Sequence, residues 1–227
     1  MVATTGGSAS SPLLTGLSPD EERDVVSRAS SKRLRKGQIL FLQDDTAQAL
    51  YQVQTGRLRL SQATPNGETI TVRFTGPGEL CAALAVLDGK SYPFTATAVA
   101  PTVVLLWSRR VLGEVFRAHP RVERNLLDIV GAHGREMLDK FRELATEPVP
   151  HRLARALLRL VRLGRPRPEG GVLIERVRQR DLAELAATSP YTVNRVLSHW
   201  EAQGILERRR ARLIIHSQGQ LRRIAGG

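Results

Sequence analysis

The stretch T-S-P-Y-T-V-N-R-V-L-S-H-W, residues 188–200, carries side chains that can read a polar surface. Tyr191, Asn194, Arg195 and Ser198 stand at i, i+3, i+4 and i+7, which places them on one face of a helix. Arg195 offers a planar fork that matches guanine O6 and N7, and Asn194 matches the edge of adenine. Tyr191 can touch a thymine methyl group, or a phosphate through its hydroxyl. Ser189 suits the N-cap and Pro190 the first helical position, so the helix starts abruptly with its positive dipole end forward. Arg180, Thr188, Thr192, His199 and the trio Arg208, Arg209 and Arg210 are candidates for phosphate contacts. Ser189, Pro190 and Ser198 complete this candidate DNA-binding surface.

Such a face needs a scaffold. A helix is predicted over 179–186 and a second over 189–203, with Leu182, Ala183, Leu185, Val193, Val196 and Leu197 between them. The turn holds Ala187 where glycine is common, because that position favours positive φ. A helix with Leu153, Ala156, Leu157 and Leu160 on one face precedes the pair. The loop R-P-R-P-E-G-G and a short strand V-L-I-E lie between. L-E-R-R-R-A-R-L-I-I-H reads as a hairpin with a basic tip, and Gln218 to Ile224 as a last helix. Two helices in a tight turn followed by a basic hairpin make a winged helix-turn-helix, whose second helix enters the major groove.

The chain ahead of this unit changes period twice. L-S-P-D-E-E-R-D-V-V-S-R-A is a short helix, with Ser18 as N-cap, Pro19 at the first position and acids in the first turn. Strand-like runs follow: Q-I-L-F-L, A-L-Y-Q-V-Q-T-G-R-L-R-L-S, E-T-I-T-V-R-F, Y-P-F-T-A-T-A-V-A and T-V-V-L-L-W. Turn signals separate them, which suggests an antiparallel barrel or roll. The segment E-L-C-A-A-L-A-V-L is a helical insertion. From Arg109 to Ala145 a helical period returns. Leu126, Val130, His133, Met137, Phe141 and Leu144 follow near-heptad steps, the seam expected of a helix that pairs with its own copy. T-E-P-V-P ends it. The expected organisation is α+β: a disordered tail over 1–16, a roll over 17–108, a dimerisation helix over 109–146 and a DNA-binding domain over 147–227.

The formal charge is +12, unevenly placed: net +2 up to Glu147 and net +10 from Pro148 onward. A basic C-terminal part attracts polyanions. The single cysteine, Cys81, leaves no internal disulfide and suits a reducing cytoplasm. The N-terminal stretch has no signal-peptide pattern, and no apolar run is long enough to span a bilayer, so no membrane role is expected. Residues 1–118 contain no histidine, which argues against a metal enzyme built in the strands, and no Walker loop or dinucleotide fingerprint occurs. An enzyme is not expected.

Over nearly its whole length the chain resembles the Crp/Fnr family of bacterial transcription regulators. The resemblance rests on G-P-G-E-L (76–80), Y-P-F-T-A-T-A (92–98), the long helix and R-D-L-A-E-L-A-A-T-S-P-Y-T-V-N-R-V-L-S-H-W-E-A-Q-G-I-L (180–206). It implies a double-stranded β-roll that binds effectors, a dimerisation helix and a winged helix. It also implies a homodimer on a near-palindromic operator, with RNA polymerase as a further partner. An effector pocket would draw on Gly78, Glu79, Leu80, Cys81, Tyr92, Pro93, Met137 and Leu138.

The resemblance does not fix the effector. Cyclic-AMP members carry Arg-Ser where this chain has Tyr92-Pro93, and the polar pair from the long helix appears as Met137-Leu138. No arginine or lysine lies between Lys90 and Arg109. A buried phosphate without a cation is costly, so cyclic AMP is disfavoured. One cysteine cannot hold an iron–sulfur cluster of the usual Cys-ligand type. Haem stays open, with His133 the residue on the seam able to ligate or titrate. Cys81 reads better as a small buried hydrophobe than as an oxidant sensor. At the position of Tyr191 an acidic residue often reads cytosine in better-known members, so their operator does not transfer. The reading from a different class is a non-specific architectural protein bound to DNA by charge alone.

Overall fold

Ser18 shows how local chemistry starts the fold. In the computed structural model, which describes residues 11–209 and 212–226, helix α1 (Pro19–Ser27) opens on a reciprocal cap. The Glu21 amide donates to Ser18 Oγ (3.4 Å), and the Ser18 amide donates to Glu21 Oε2 (2.7 Å). Just before it, Pro12–Leu14 forms a 3-10 turn whose Leu13 is fully buried. Asn125 Nδ2 donates to the carbonyls of Leu13 (2.9 Å) and Thr15 (2.8 Å). The expectation of a disordered tail is therefore corrected for residues 11–16: one leucine in the core and one buried amide fix the backbone. Residues 1–10 lie outside the described residues.

Eight strands follow: β1 (Ser30–Leu34), β2 (Ile39–Phe41), β3 (Ala49–Thr55), β4 (Leu58–Ala63), β5 (Thr69–Thr75), β6 (Leu80–Cys81), β7 (Thr95–Ala98) and β8 (Thr102–Ser108). They form two four-stranded sheets, ordered β1-β8-β3-β6 and β2-β7-β4-β5. Neighbouring strands pair antiparallel, for example with Leu50 opposite Trp107 and Leu60 opposite Ala96. Trp107 is fully buried and donates its indole N–H to the Val25 carbonyl (2.8 Å), which pins α1 to the roll. The β3–β4 turn requires Gly56. Its φ is +85°, and a Cβ there would stand 2.3 Å from the Pro101 carbonyl oxygen.

Three details differ from expectation. Ser30–Leu34 is a strand although it reads S-S-K-R-L; it lies at the end of its sheet, where polar side chains are tolerated. The helical insertion is shorter: Leu80 and Cys81 pair with β3, and α2 covers only Ala83–Asp88. The helical region from Arg109 is also two helices, α3 (Arg109–Ala118) and α4 (Pro120–Thr146). His119 takes an extended conformation (φ −134°, ψ 78°), as a residue before proline prefers, and Pro120 starts the next helix. His119 Nε2 lies 2.7 Å from Asp24 Oδ2.

By its contacts the described chain divides into two units, residues 11–62 with 75–136, and 63–74 with 137–209 and 212–226. The first buries Leu34, Leu50, Val53, Leu58, Ala96, Val104, Trp107, Leu112, Val122 and Leu126 in one core. In the second, α5 (Val149–Val161), α6 (Gln179–Leu185), α7 (Pro190–Ala202) and α8 (Gln218–Ile224) pack with a small sheet. Its strands are β9 (Arg165–Pro166), β10 (Val172–Glu175), β11 (Leu206–Arg209) and β12 (Arg212–Ile215), ordered β11-β12-β10-β9. Leu153, Leu157, Ile174, Leu182, Val193, Leu197, Trp200, Ile215 and Leu221 are buried there. The 63–74 segment is stitched into the same unit. The Thr71 amide donates to Glu184 Oε2 (2.8 Å), and Lys140 Nζ donates to the Val72 carbonyl (2.9 Å).

Candidate DNA-binding site

The first helix of the pair is closed by charge. The Arg178 amide donates to Asp181 Oδ2 (2.8 Å), and its guanidinium spans both carboxylate oxygens. Asp181 is almost fully buried, and its hydrogen bonds hold the Arg178 guanidinium above its usual range. The turn then reverses over Ala186, Ala187 and Thr188. Ala187 has φ +47°, the left-handed conformation its position suggested. Arg152, which sequence reasoning passed over, holds this turn from α5. Its Nε donates to the Ala186 carbonyl (2.9 Å), Nη2 to that of Ala187 (3.1 Å) and Nη1 to that of Glu147 (2.6 Å).

Ser189 Oγ accepts from the Thr192 amide (3.1 Å), and Pro190 takes the first helical position. Val193, Leu197 and Trp200 face inward; Leu185 and Val196, expected in the shared core, are half-buried. Tyr191, Asn194, Arg195, Ser198 and His199 are exposed, Tyr191 at 77%. Ser189 and Pro190 are exposed and Thr188 and Thr192 half-buried. The structure thus brings the candidate base-reading residues together on one open helix face.

The arginines expected at phosphates divide. Arg180 is exposed and paired with Glu184 (2.8 Å), and Arg209 is exposed and paired with Glu207 (2.6 Å). Arg208 departs from expectation. Its amide and Nε donate to the two Glu201 oxygens (2.7 Å each), Nη1 to Asn194 Oδ1 (2.7 Å) and Nη2 to Ser198 Oγ (2.9 Å). It buttresses the second helix from the wing instead of standing free for phosphate. The backbone amide of Arg208, then its guanidinium, hold the Glu201 carboxyl below its usual range. Asn194 Oδ1 also accepts from Gln179 Nε2 (3.3 Å), so its orientation is set before any base is met. Arg210 lies outside the described residues.

The effector-pocket candidates in the first unit are tied to its own backbone. The Gly78 amide donates to the Val53 carbonyl (2.8 Å), and Glu79 Oε2 accepts from the Gly76 amide (2.8 Å). Leu80 and Cys81 are buried in the sheet, while Pro93 is exposed. Tyr92 is buried. Its hydroxyl accepts from the Gln48 (2.9 Å) and Ala49 (3.1 Å) amides, and its ring stacks on Phe41 at 4.0 Å. Phe41 also stacks on Tyr51 (5.4 Å), whose hydroxyl is pushed well above its usual range by burial. Met137 and Leu138 belong to the second unit and are exposed.

The expected seam on α4 needs one correction. Leu126 is fully buried in the core of its own chain and cannot meet a second copy there. Val130 and His133 are half-buried, and Met137, Phe141 and Leu144 are exposed at 62%, 72% and 51%. The exposed stripe lies mostly one position later, at Leu127, Gly131, Gly134, Leu138 and Ala145, with Phe141 common to both and Met137 and Leu144 beside it.

Residues 31–119 match the cyclic nucleotide-binding domain family, and residues 151–224 match the Crp-like helix-turn-helix domain family. The chain is 34% identical over 196 residues to the cyclic AMP receptor protein of Thermus thermophilus, covering 86% of this chain and 88% of that one. It is 27% identical to the transcriptional activator protein FnrA of Stutzerimonas stutzeri, over 90% of this chain and 83% of that one. Among solved structures, FixK2 from Bradyrhizobium japonicum superposes with a TM-score of 0.75 at 25% identity, covering 86% and 96% of the two chains. The Thermus thermophilus catabolite activator protein matches at 32% identity and a TM-score of 0.57, covering 95% and 99%. With two helices in a tight turn, a wing and a roll in one chain, these matches agree: the protein belongs to the Crp/Fnr family of DNA-binding transcription regulators, which are not enzymes.

Proposed function

We propose that the protein is a homodimer that reads a near-palindromic operator by inserting the start of α7 into the major groove. The observation that carries this reading is the open face of Tyr191, Asn194, Arg195 and Ser198 at a sharply capped helix start. Arg195 reads guanine, Asn194, whose Oδ1 is held by Arg208 and Gln179, offers its Nδ2 donor to adenine N7, and Tyr191 supplies a methyl or phosphate contact. Thr188, Thr192, His199, Arg180, Arg209 and Arg210 contact phosphate, with Arg208 as the buttress. Dimerisation is supported by the exposed apolar stripe of α4. Gly131 and Gly134 are poor helix formers that lie on that stripe and let a second helix approach closely. No helix among the described residues is long and apolar enough to cross a membrane. The protein acts in the cytoplasm, with RNA polymerase as its partner at promoters.

The effector is one other than cyclic AMP, or none. Tyr92 and Pro93 replace the expected cation and hydroxyl, and the Tyr92 hydroxyl is already committed to Gln48 and Ala49. A second reading, a cyclic-AMP-responsive regulator, is favoured by the 34% identity to a protein named for that ligand. Selecting duplexes from a random pool, with and without cyclic AMP, tests both readings. The proposal expects enriched, two-fold-symmetric sites in either condition. Enrichment only with cyclic AMP favours the second reading; no enrichment, with equal affinity for all duplexes, favours charge-driven binding.

A further inference from the structure

The second unit holds an open cleft that no part of the DNA-reading surface uses. Its volume is about 420 Å³, within the range of small-molecule sites. Arg155, Leu158, Arg159 and Val161 of α5 with its C-cap Arg162, and Gln218 and Arg222 of α8 with its C-cap Ala225, line it. The spacings explain the convergence: 155, 158, 159 and 162 recur on one side of a helix, as do 218, 222 and 225. None of these residues belongs to α6, α7 or the wing.

The four arginines differ in their state. Arg155 donates to Glu147 Oε2 (3.0 Å), and Arg159 pairs with the buried Glu143, so these two are oriented and largely neutralised. Arg162 and Arg222 are exposed, and among the described residues neither is in an ion pair. Leu158, Val161 and Ala225 add apolar surface. Guanidinium forks interleaved with small apolar side chains along both walls match a ligand that joins an apolar ring to a phosphate chain. We propose that this open cleft is a nucleoside diphosphate site, with Arg162 and Arg222 on the phosphates and Leu158, Val161 and Ala225 against the ring. Arg155 and Arg159, fixed by their glutamates, shape the cleft. The site does not depend on the operator reading given above.

Calorimetric titration of the full chain with ADP tests this, beside adenosine, inorganic pyrophosphate and duplex DNA as competitor. One ADP per chain is expected, with adenosine at least about tenfold weaker, the scale of a lost charge-assisted hydrogen bond. The double variant Arg162→Gln/Arg222→Gln is expected to weaken ADP by about tenfold or more while keeping its unfolding midpoint, since both side chains are exposed. Arg195→Ala is expected to leave ADP binding unchanged. The proposal is overturned by absence of saturable ADP binding, by equal affinity in the double variant, which would place ADP elsewhere, or by displacement of ADP by DNA, which would make the arginines a phosphate-backbone contact.

Discussion

Replacing Arg152 by alanine removes the tie that holds the turn between α6 and α7. Three carbonyls, of Glu147, Ala186 and Ala187, lose a charged donor at 2.6 to 3.1 Å. Hydrogen bonds to charged groups contribute about 1.5–3 kcal/mol each when well sheltered. Arg152 is half-buried and the Ala187 bond is exposed, so water takes over part of the loss. A value near 1 kcal/mol per bond is appropriate, giving about 2–3 kcal/mol in all. That is a large share of the roughly 5–15 kcal/mol stability of a typical protein. Urea unfolding of wild type, Arg152→Ala and Arg152→Lys measures it. Lysine has a compact ammonium that cannot span three carbonyls, so it should recover less than half. DNA affinity should fall as well, because the turn sets the angle of α7. An alanine variant with an unchanged urea midpoint and unchanged DNA affinity would refute the role given to Arg152.

Other consequences are equally direct. At Ala187 the left-handed backbone costs about 1–2 kcal/mol, whereas glycine adds unfolded-state entropy of about 0.4–1 kcal/mol. Ala187→Gly should therefore be neutral to mildly stabilising and Ala187→Val destabilising by more than about 1 kcal/mol in urea unfolding; the reverse order would contradict the geometry. The Asp24 carboxyl lies below its usual range, chiefly through the hydrogen bond to His119 and then that to Arg28; Glu21 is lowered chiefly by Ser18. A lowered folded value means stability that is present above the usual carboxylate range and lost as pH falls through the folded value. His119→Ala should flatten the fall of the urea midpoint below about pH 4, and an unchanged acid limb would count against the Asp24 pairing. Phe141→Asp should raise the dimer dissociation constant at least about a hundredfold, since two rings would leave a buried seam. Sedimentation showing an unaltered dimer would reject that seam.

Some features were legible in the sequence because local chemistry decides them. Ser18 with Glu21, Ser189 with Pro190, and the positive φ of Ala187 all depend on neighbours within a few residues. The alternating runs likewise marked most strands of the roll. What the sequence hid depends on distant partners. Residues 30–34 have no apolar alternation, and only pairing with β8 makes them a strand. Pro120 interrupts no hydrophobic period because proline is acceptable at a helix start, so two helices looked like one. Leu126 fits a heptad, yet the same spacing also serves a face turned to the chain's own core. The charge of Arg208 points to phosphate, but its partners Asn194, Ser198 and Glu201 are 7 to 14 residues away. Arg152 stands 34 and 35 residues from two of the three carbonyls it holds, those of Ala186 and Ala187.

The most direct measurement is the ratio of operator to random-duplex affinity for wild type and Arg195→Ala, taken across a salt series. If Arg195 reads a base edge, operator affinity falls by about tenfold or more while random-duplex affinity and oligomeric state barely change. An unchanged ratio, or equal losses on both duplexes, would mean that the exposed face of α7 does not read sequence.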